Sequence, residues 1–134
     1  MPFDNDAHAV APGSEGAVRI EGQVFDGAGQ PVPDALVEVS DGEQFARCRT
    51  DGEGAFHFSV RKTHHLEVLL FARGLLRHLA TRLYFPDAGH DDDPVLQAIE
   101  PDRRHTLIAK AGEGGLRFDI RLQGEGETVF LQLP

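Results

Sequence analysis

Three side chains with metal-ligand chemistry lie together where the most apolar part of the chain begins. His64, His65 and Glu67 open the stretch HHLEVLLFARGLLRHLATRLYFP, residues 64–86. Residues two apart on a strand project from the same face, so His65 and Glu67 would share one face. Two such ligands hold a metal weakly without a third, for which His57 or His64 is a candidate. We favour the alternative, in which the two side chains form a hydrogen-bonded pair. The sequence therefore predicts no metal site, and His65 and Glu67 are only weak candidates for metal ligands.

Other reactive groups give weaker signals. The single cysteine, Cys48, cannot form an intrachain disulfide, which fits a reducing, cytoplasmic setting, and nothing near it in sequence would lower its pKa. The acidic run 90–93 lacks the glycine and terminal glutamate of a calcium loop, so we expect Asp93 before Pro94 to cap a short helix. The glycine-rich segments lack the lysine of phosphate-binding loops, and the sequence predicts no catalytic residue in this chain.

The central stretch predicts two adjacent core strands. Leu66, Val68 and Leu70 alternate with Glu67, Leu69 and Phe71, a pattern typical of a strand buried on both faces. Gly74 permits a turn, and the second apolar run, 75–85, ends at a proline.

The pattern of the rest of the chain predicts short strands, in which apolar and polar residues alternate, separated by glycine-rich and proline-rich turns. The strands are predicted at 17–25, 35–39, 45–50, 55–61, 106–110, 116–123 and 128–133, with helical turns at 95–99 and 102–105. Val68, Leu70, Leu83, Phe118 and Ile120 are the predicted core between two sheets. The predicted division is a flexible N-terminal arm, 1–16, and one sandwich domain, 17–134.

Composition excludes several function classes. The net charge of -9 disfavours nucleic acids and anionic membranes, whose binding needs basic surfaces. No apolar run approaches the ~18 residues of a membrane helix, and no secretory signal is seen at the N-terminus.

Several quoted segments also carry a family resemblance. LLFARGLL and TRLYFPD in the central stretch, PDRRHTLIAK at 101–110 and RFDIRLQGEGETVF at 117–130 resemble the alpha subunits of protocatechuate 3,4-dioxygenases. These are intradiol ring-cleaving enzymes of aromatic catabolism, and the match covers roughly residues 20–130. The resemblance implies an all-β, intradiol dioxygenase-like sandwich with one or two short helices.

The resemblance also implies a division of labour between two chains. Catalytic intradiol subunits hold ferric iron with two tyrosines and two histidines two residues apart; the matching positions of the histidines here are His65 and Glu67. With Tyr84 as its one tyrosine, this chain cannot build that site. We therefore expect an alpha-subunit-like protein, inactive alone and without a cofactor of its own, that assembles with an iron-bearing beta subunit or with itself. The arginine of FARG, Arg73, would bind the carboxylate of a catechol substrate at a shared pocket.

A second interpretation of the function stays open. The connections around the central strands are shorter than in the resembled subunits, and the Thr-Ala-Gly-Pro segment of their N-terminal region is missing. Loops can be removed while a sandwich keeps its core. The chain could therefore be a stand-alone, non-catalytic binding or scaffold module.

Overall fold

A computed structural model of the chain describes residues 6–75, 77–87 and 89–131. These residues form nine strands, one single-turn α-helix and one 3₁₀ helix. The strands are β1 (Ala17–Phe25), β2 (Leu36–Ser40), β3 (Phe45–Arg49), β4 (Ala55–Arg61), β5 (His65–Phe71), β6 (Leu79–Tyr84), β7 (Lys110–Gly112), β8 (Gly115–Arg117) and β9 (Ile120–Arg121); α1 is Pro94–Gln97 and the 3₁₀ helix is Pro101–Leu107. None of the helices in these ranges is long and apolar enough to cross a membrane.

The strands form two sheets that share one buried apolar cluster. The five-stranded sheet has the order β4-β1-β8-β7, with β9 also pairing with β1, and the four-stranded sheet has the order β3-β2-β5-β6. Inward-facing residues of both sheets meet in a single cluster. The predicted all-β sandwich with short helices is therefore the observed architecture.

Strict alternation explains why the first sheet forms where the sequence predicts it. In β1, Ile20, Gly22 and Val24 are buried, and Glu21 and Gln23, which alternate with them, are more exposed. β1 pairs antiparallel with β4 so that Ile20 lies opposite Phe58. Both strands begin and end at the predicted residues, because period-two burial fixes the register of a strand with one buried face.

The predicted core residues are all buried in the structure. The five are Val68, Leu70, Leu83, Phe118 and Ile120, and each belongs to the cluster between the sheets. Adjacent pairing of the two central strands is also confirmed, with β5 antiparallel to β6.

The prediction that β5 is buried on both faces was wrong. Leu66, Val68 and Leu70 point into the core, but Leu69 is only half-buried and Phe71 is 37% exposed. β5 belongs to an antiparallel sheet with one face on the core and one toward solvent.

The C-terminal third departs most from the predicted strands. Residues 106–110 were predicted as a strand, but the 3₁₀ helix extends to Leu107 and β7 begins only at Lys110. The helical turn carries Leu107 into a second buried cluster, against Tyr84 and Leu96. Burial of one leucine under β6 therefore outweighs the strand propensity of this segment.

The alternating segment 116–123 is two strands rather than one. β8 and β9 are separated by Phe118 and Asp119, and both run parallel to β1. Oδ1 of Asp119 accepts a hydrogen bond from the backbone N–H of Gln23 at 2.9 Å, so a side chain replaces a ladder bond there. The predicted last strand, 128–133, is represented by one bridge, Ala80 with Leu131, and residues 132–133 lie outside the described residues.

The described end of the predicted N-terminal arm packs against the sandwich. Ala7 is buried, and its carbonyl accepts a hydrogen bond from the N–H of Ser59 at 3.0 Å. The carbonyl of Asp6 accepts one from the N–H of Arg47 at 2.8 Å. Residues 6 and 7 are therefore bound to both sheets, and the flexibility of the segment 1–16 stays a prediction.

Candidate functional site

Two adjacent histidines, one just before β5 and one at its first position, contact each other through their rings. Nδ1 of His64 lies 2.9 Å from Nδ1 of His65. Nε2 of His64 lies 3.0 Å from the carbonyl oxygen of Gly89, which can only accept, so this nitrogen carries the hydrogen. Neutral His64 therefore presents a lone pair on Nδ1 toward His65.

The other nitrogen of His65 faces an ion pair on the outer face of the sheet. Nε2 of His65 lies 3.4 Å from Oε1 of Glu67, so the predicted contact between these residues exists. Glu67 is opposite Arg82 in the β5–β6 ladder, and Nε of Arg82 lies 3.1 Å from the same oxygen. That distance suits an ion pair, but Nε is misaligned for a hydrogen bond and has no other partner among the described residues. Burial and the Arg82 guanidinium lower the pKa of His65.

Tyr84 and Asp93 connect this ladder to α1. The hydroxyl of Tyr84 donates to Oδ1 of Asp93 at 3.0 Å and accepts from Nη1 of Arg82 at 3.1 Å. The same Oδ1 caps α1 by accepting the N–H groups of Val95 and Leu96, at 2.9 and 3.0 Å. Asp93 is thus the helix cap that the sequence predicted.

Protonation in this pair is governed by burial and hydrogen bonds. Burial raises the pKa of Tyr84, more than the hydrogen bond from Arg82 lowers it. Burial also opposes ionisation of Asp93, but its hydrogen bonds from Leu96, Tyr84 and Val95 outweigh this and lower its pKa. The arrangement is a neutral phenol that donates to a carboxylate.

Six side chains therefore form one polar group, which we call the β5–β6 cluster. Its members are His64, His65, Glu67, Arg82, Tyr84 and Asp93. Oδ2 of Asp93, the carboxylate oxygen that does not cap the helix, lies 3.9 Å from Nδ1 of His64. The ligand atoms of His64, His65 and Asp93 lie within 4.8 Å of one another, so three potential metal ligands converge.

Arg73 lies at the other end of β5. It follows the strand in the turn toward β6, its side chain is 91% exposed, and Nη2 is 3.4 Å from Oδ2 of Asp34. β5 is seven residues long, so its ends are roughly 20 Å apart. A single catechol therefore cannot contact both Arg73 and the β5–β6 cluster.

Two other sequence candidates lie elsewhere. His57 is on β4, in the other sheet, with its ring centroid 6.2 Å from that of His8, so it does not complete a site with His65. Cys48 is a buried, free thiol on β3, and burial raises its pKa. A protonated, enclosed thiol is a poor nucleophile.

Comparison with known proteins identifies the family. No family model matches the chain. The curated proteins that do match include the protocatechuate 3,4-dioxygenase alpha chain of Pseudomonas putida, 40% identical over 90% of this chain and 77% of its own length, and that of Burkholderia cepacia, 36% identical over 92% and 81%. The chain belongs to the protocatechuate 3,4-dioxygenase alpha-chain family. The family resemblance that the sequence segments carry is thereby confirmed.

Solved structures support the fold independently. The dioxygenase domain of a dioxygenase carbohydrate-binding protein fusion from Streptomyces sp. SirexAA-E superposes with a TM-score of 0.64 at 20% identity, covering 90% of this chain and 88% of that domain. Catechol 1,2-dioxygenase from Pseudomonas arvilla C-1 gives the same TM-score at 22% identity, over 87% of this chain and 55% of that one. The predicted intradiol dioxygenase-like sandwich is confirmed.

This alpha-chain-like protein is shorter in places than its relatives. The alignment with the Pseudomonas putida chain spans 156 positions, which is more than the 134 residues of this chain. The relative therefore has segments without a counterpart in this chain, as the short connections of the sequence indicate.

Ferric iron, the cofactor of intradiol chemistry, does not fit the residues present. A ferric site of this type needs anionic tyrosinates. The one tyrosine, Tyr84, is fully buried and donates its hydroxyl hydrogen to Asp93. A phenolate there would face that carboxylate, so the described geometry offers no tyrosinate ligand.

Sequence reasoning missed how the cluster is assembled. It related His65 to Glu67 and named His64 as an optional partner, but it assigned Asp93 only to helix capping. Asp93 is 28 positions after His65, and its approach depends on how α1 packs under β6. A signal was present, since an aspartate at a helix N-cap has one oxygen left for another partner.

Proposed function

We propose that this chain is the non-catalytic partner in an intradiol dioxygenase assembly whose ferric iron is held by a beta-type subunit. The observation that carries the proposal is the combination of alpha-chain membership with a single tyrosine that is bound to Asp93. A chain with this fold and without a tyrosinate set can contribute to ring cleavage only through substrate binding or assembly. The free thiol of Cys48 fits a cytoplasmic location, which is part of the proposal.

Arg73 is the residue proposed to bind substrate. Its guanidinium is 91% exposed and is paired loosely with Asp34, so it is free to reorient toward a ligand. A planar guanidinium can bind a carboxylate through two parallel hydrogen bonds, which a catechol without a carboxylate cannot accept. Because Arg73 is so exposed, the remaining walls of the pocket would come from the partner subunit.

The outer face of the four-stranded sheet is the proposed contact surface. Phe45 is 46% exposed and Phe71 is 37% exposed, the two large apolar side chains that are most open among the described residues. Phe71 is two residues from Arg73, so a subunit that covers this phenylalanine would also enclose the arginine. Exposed apolar groups beside a binding residue are typical of an association surface.

The test of assembly is co-expression with a candidate beta-type chain from the same genome. We expect both chains to copurify. Phe71→Ser should weaken the complex, which light scattering would detect as a lower average molar mass. The same change at Phe45, on the edge strand β3 of the same face, shows whether the contact surface extends across the sheet from Phe71.

The test of the binding role compares two ligands on the assembled protein. Arg73→Ala should weaken binding of 3,4-dihydroxybenzoate by roughly 1.5–3 kcal/mol, the scale of a charge-assisted hydrogen bond, or about 10-fold to 150-fold. Catechol binding should be nearly unchanged. Arg77→Ala, an exposed arginine in the same connection, is the matched control. Equal losses for both ligands would remove Arg73 from the carboxylate role.

The missing loop segments favour a second function. A sandwich that keeps its core but lacks segments of its relatives could act alone as a binding or scaffold module. This alternative predicts a monomer that neither copurifies with a beta-type chain nor binds carboxylated catechols.

A further inference from the structure

We propose that His64, His65 and Asp93 form a binding site for a divalent metal ion of borderline hardness. Zn²⁺ is the ion used to test the site. The site belongs to this chain alone and uses no tyrosinate, so it does not depend on the proposed function. It shares His65 with the weak candidate pair His65–Glu67, but it takes Asp93 in place of Glu67 and uses Nδ1 of His65 rather than Nε2.

The hydrogen-bond pattern of the two histidines is the first support. His64 carries its hydrogen on Nε2, which donates to Gly89, so its Nδ1 has a lone pair directed at His65. A neutral His65 carries one ring hydrogen, but both of its nitrogens face an acceptor. Nδ1 lies 2.9 Å from the nitrogen of His64 that bears this lone pair, and Nε2 lies 3.4 Å from the Glu67 carboxylate. With the hydrogen on Nε2, two lone pairs face each other across 2.9 Å. A cation between the two Nδ1 atoms converts this repulsion into coordination.

The distances suit a metal at that point. Two ligands about 2.1 Å from a metal at a right angle are about 3 Å apart, and they cannot be more than about 4.2 Å apart. The Nδ1 atoms are 2.9 Å apart, and Nδ1 of His64 is 3.9 Å from Oδ2 of Asp93. All three ligand atoms lie within 4.8 Å, so small side-chain rotations complete the site.

Each ligand is already held by a neighbour that a metal would not displace. Gly89 accepts from Nε2 of His64, and Glu67 is positioned to accept from Nε2 of His65. Oδ1 of Asp93 is held by three donors, which leaves Oδ2 for the metal. Such outer partners fix the tautomer of a histidine ligand and strengthen metal binding.

Arg82 decides between this position and the His65–Glu67 position. Its guanidinium lies 3.1 Å from Oε1 of Glu67, so a metal bound there would meet a positive charge. At the proposed position, the metal binds Nδ1 of His65, on the side of the ring away from the Glu67–Arg82 pair, and Asp93 supplies the anionic ligand. The side chain of Asp93 is 7% exposed and that of His64 is 41% exposed, so the site has an anchored side and one open to water.

The donor set specifies the class of ion. Two imidazoles and one carboxylate suit Zn²⁺, Co²⁺ or Fe²⁺, whereas Mg²⁺ and Ca²⁺ prefer oxygen ligands and ferric iron of the intradiol type requires phenolates. Three protein ligands leave at least one coordination position for water or a small ligand.

The first experiment is a Zn²⁺ titration of the untagged chain, stripped with a chelator, in the presence of excess Mg²⁺. We expect one equivalent to bind and each of His64→Gln, His65→Gln and Asp93→Asn to weaken the affinity at least tenfold. Asp93→Asn keeps an oxygen that can cap α1. His57→Gln, on the other sheet, is the control and should bind as the native chain does. Absence of saturable binding, or native affinity in any of the three variants, would overturn the site.

A second measurement needs no variant and covers the case in which a substitution prevents folding. In ¹⁵N-labelled native chain, Zn²⁺ should shift the ring Nδ1 signals of His64 and His65, while their Nε2 atoms keep the signals of protonated nitrogens. Zn²⁺-induced shifts confined to other histidines, or shifts at Nε2 of His65, would contradict the ligand set.

Discussion

The hydroxyl of Tyr84 donates a 3.0 Å hydrogen bond to Oδ1 of Asp93, the residue that caps α1. This bond joins the last residue of β6 to the first turn of the helix that follows. It also assigns the single tyrosine of the chain to a structural role, because the phenol is buried and its hydrogen is used. The connection that stabilises this end of the sandwich therefore removes the phenolate that ferric chemistry would need.

The first prediction is that the isolated chain shows no tyrosinate–iron colour. Ionising Tyr84 would bury a phenolate beside the Asp93 carboxylate, and burial already raises the pKa of the phenol. After incubation with ferric iron and desalting, the visible spectrum should lack a charge-transfer band. A burgundy protein with near-stoichiometric iron would contradict the assignment of Tyr84.

The second prediction concerns the inner face of β5. Leu70 is 1% exposed at the centre of the core, so Leu70→Ala should lower the free energy of unfolding by roughly 2–5 kcal/mol. Leu69, its neighbour on the outer face, is half-buried and is the matched control, with an expected loss of about 1 kcal/mol. Urea denaturation of both variants gives the comparison. Similar losses would mean that the two faces are assigned incorrectly.

Local patterning explains which parts of the fold were predictable. β1 and β4 alternate between buried and more exposed residues, apart from buried Ser59 on the outer face of β4, and this alternation indicates both ends. The same pattern continues through 116–123, but the structure interrupts it at Asp119, whose side chain bonds to the backbone of β1. Nothing in a period of two distinguishes a residue that pairs through its backbone from one that pairs through its side chain.

The candidate site was predictable only where its members are neighbours in sequence. His65 and Glu67 share a face because they are two apart on one strand, and their contact is present. Asp93 reaches His64 because α1 packs under β6, which no local pattern encodes. The position of Arg82 beside Glu67 follows from strand register, and the turn between β5 and β6 sets that register.

The third prediction tests the close approach of β1 to the segment between β8 and β9. A Cβ added to Gly22 would lie 1.8 Å from the carbonyl oxygen of Phe118, a backbone atom that cannot rotate away. We expect Gly22→Ala to destabilise the fold by about 3 kcal/mol, the upper end of overpacking costs. Gly52→Ala is the control, since a Cβ there meets no atom within 4 Å; it should change stability by less than about 0.5 kcal/mol. Thermal or urea unfolding that ranks the two variants alike would argue against this contact.

The fourth prediction is a pH dependence of stability that originates at His57. Burial, the Arg19 guanidinium and His8 lower the pKa of His57 below its ordinary value of 6.5, and Glu21 opposes the shift. The unfolded chain then binds more protons at His57 than the folded chain does as the pH falls through 6.5. The stability contributed by neutral His57 is therefore complete above pH 6.5 and is lost progressively below it, down to the folded-state pKa.

Urea unfolding between pH 8 and about 5.5 measures this loss above the range in which carboxylates titrate. The native chain should lose stability as the pH falls, and His57→Gln should lose less, so that the difference between the two proteins changes with pH. His65, whose pKa is also lowered, contributes equally to both proteins and cancels in the comparison. His105→Gln, the same substitution at an exposed histidine in the 3₁₀ helix, controls for the loss of a histidine as such. Parallel curves for the native chain and His57→Gln would show that His57 does not couple folding to pH, because a group with equal proton affinity in both states cannot change the slope.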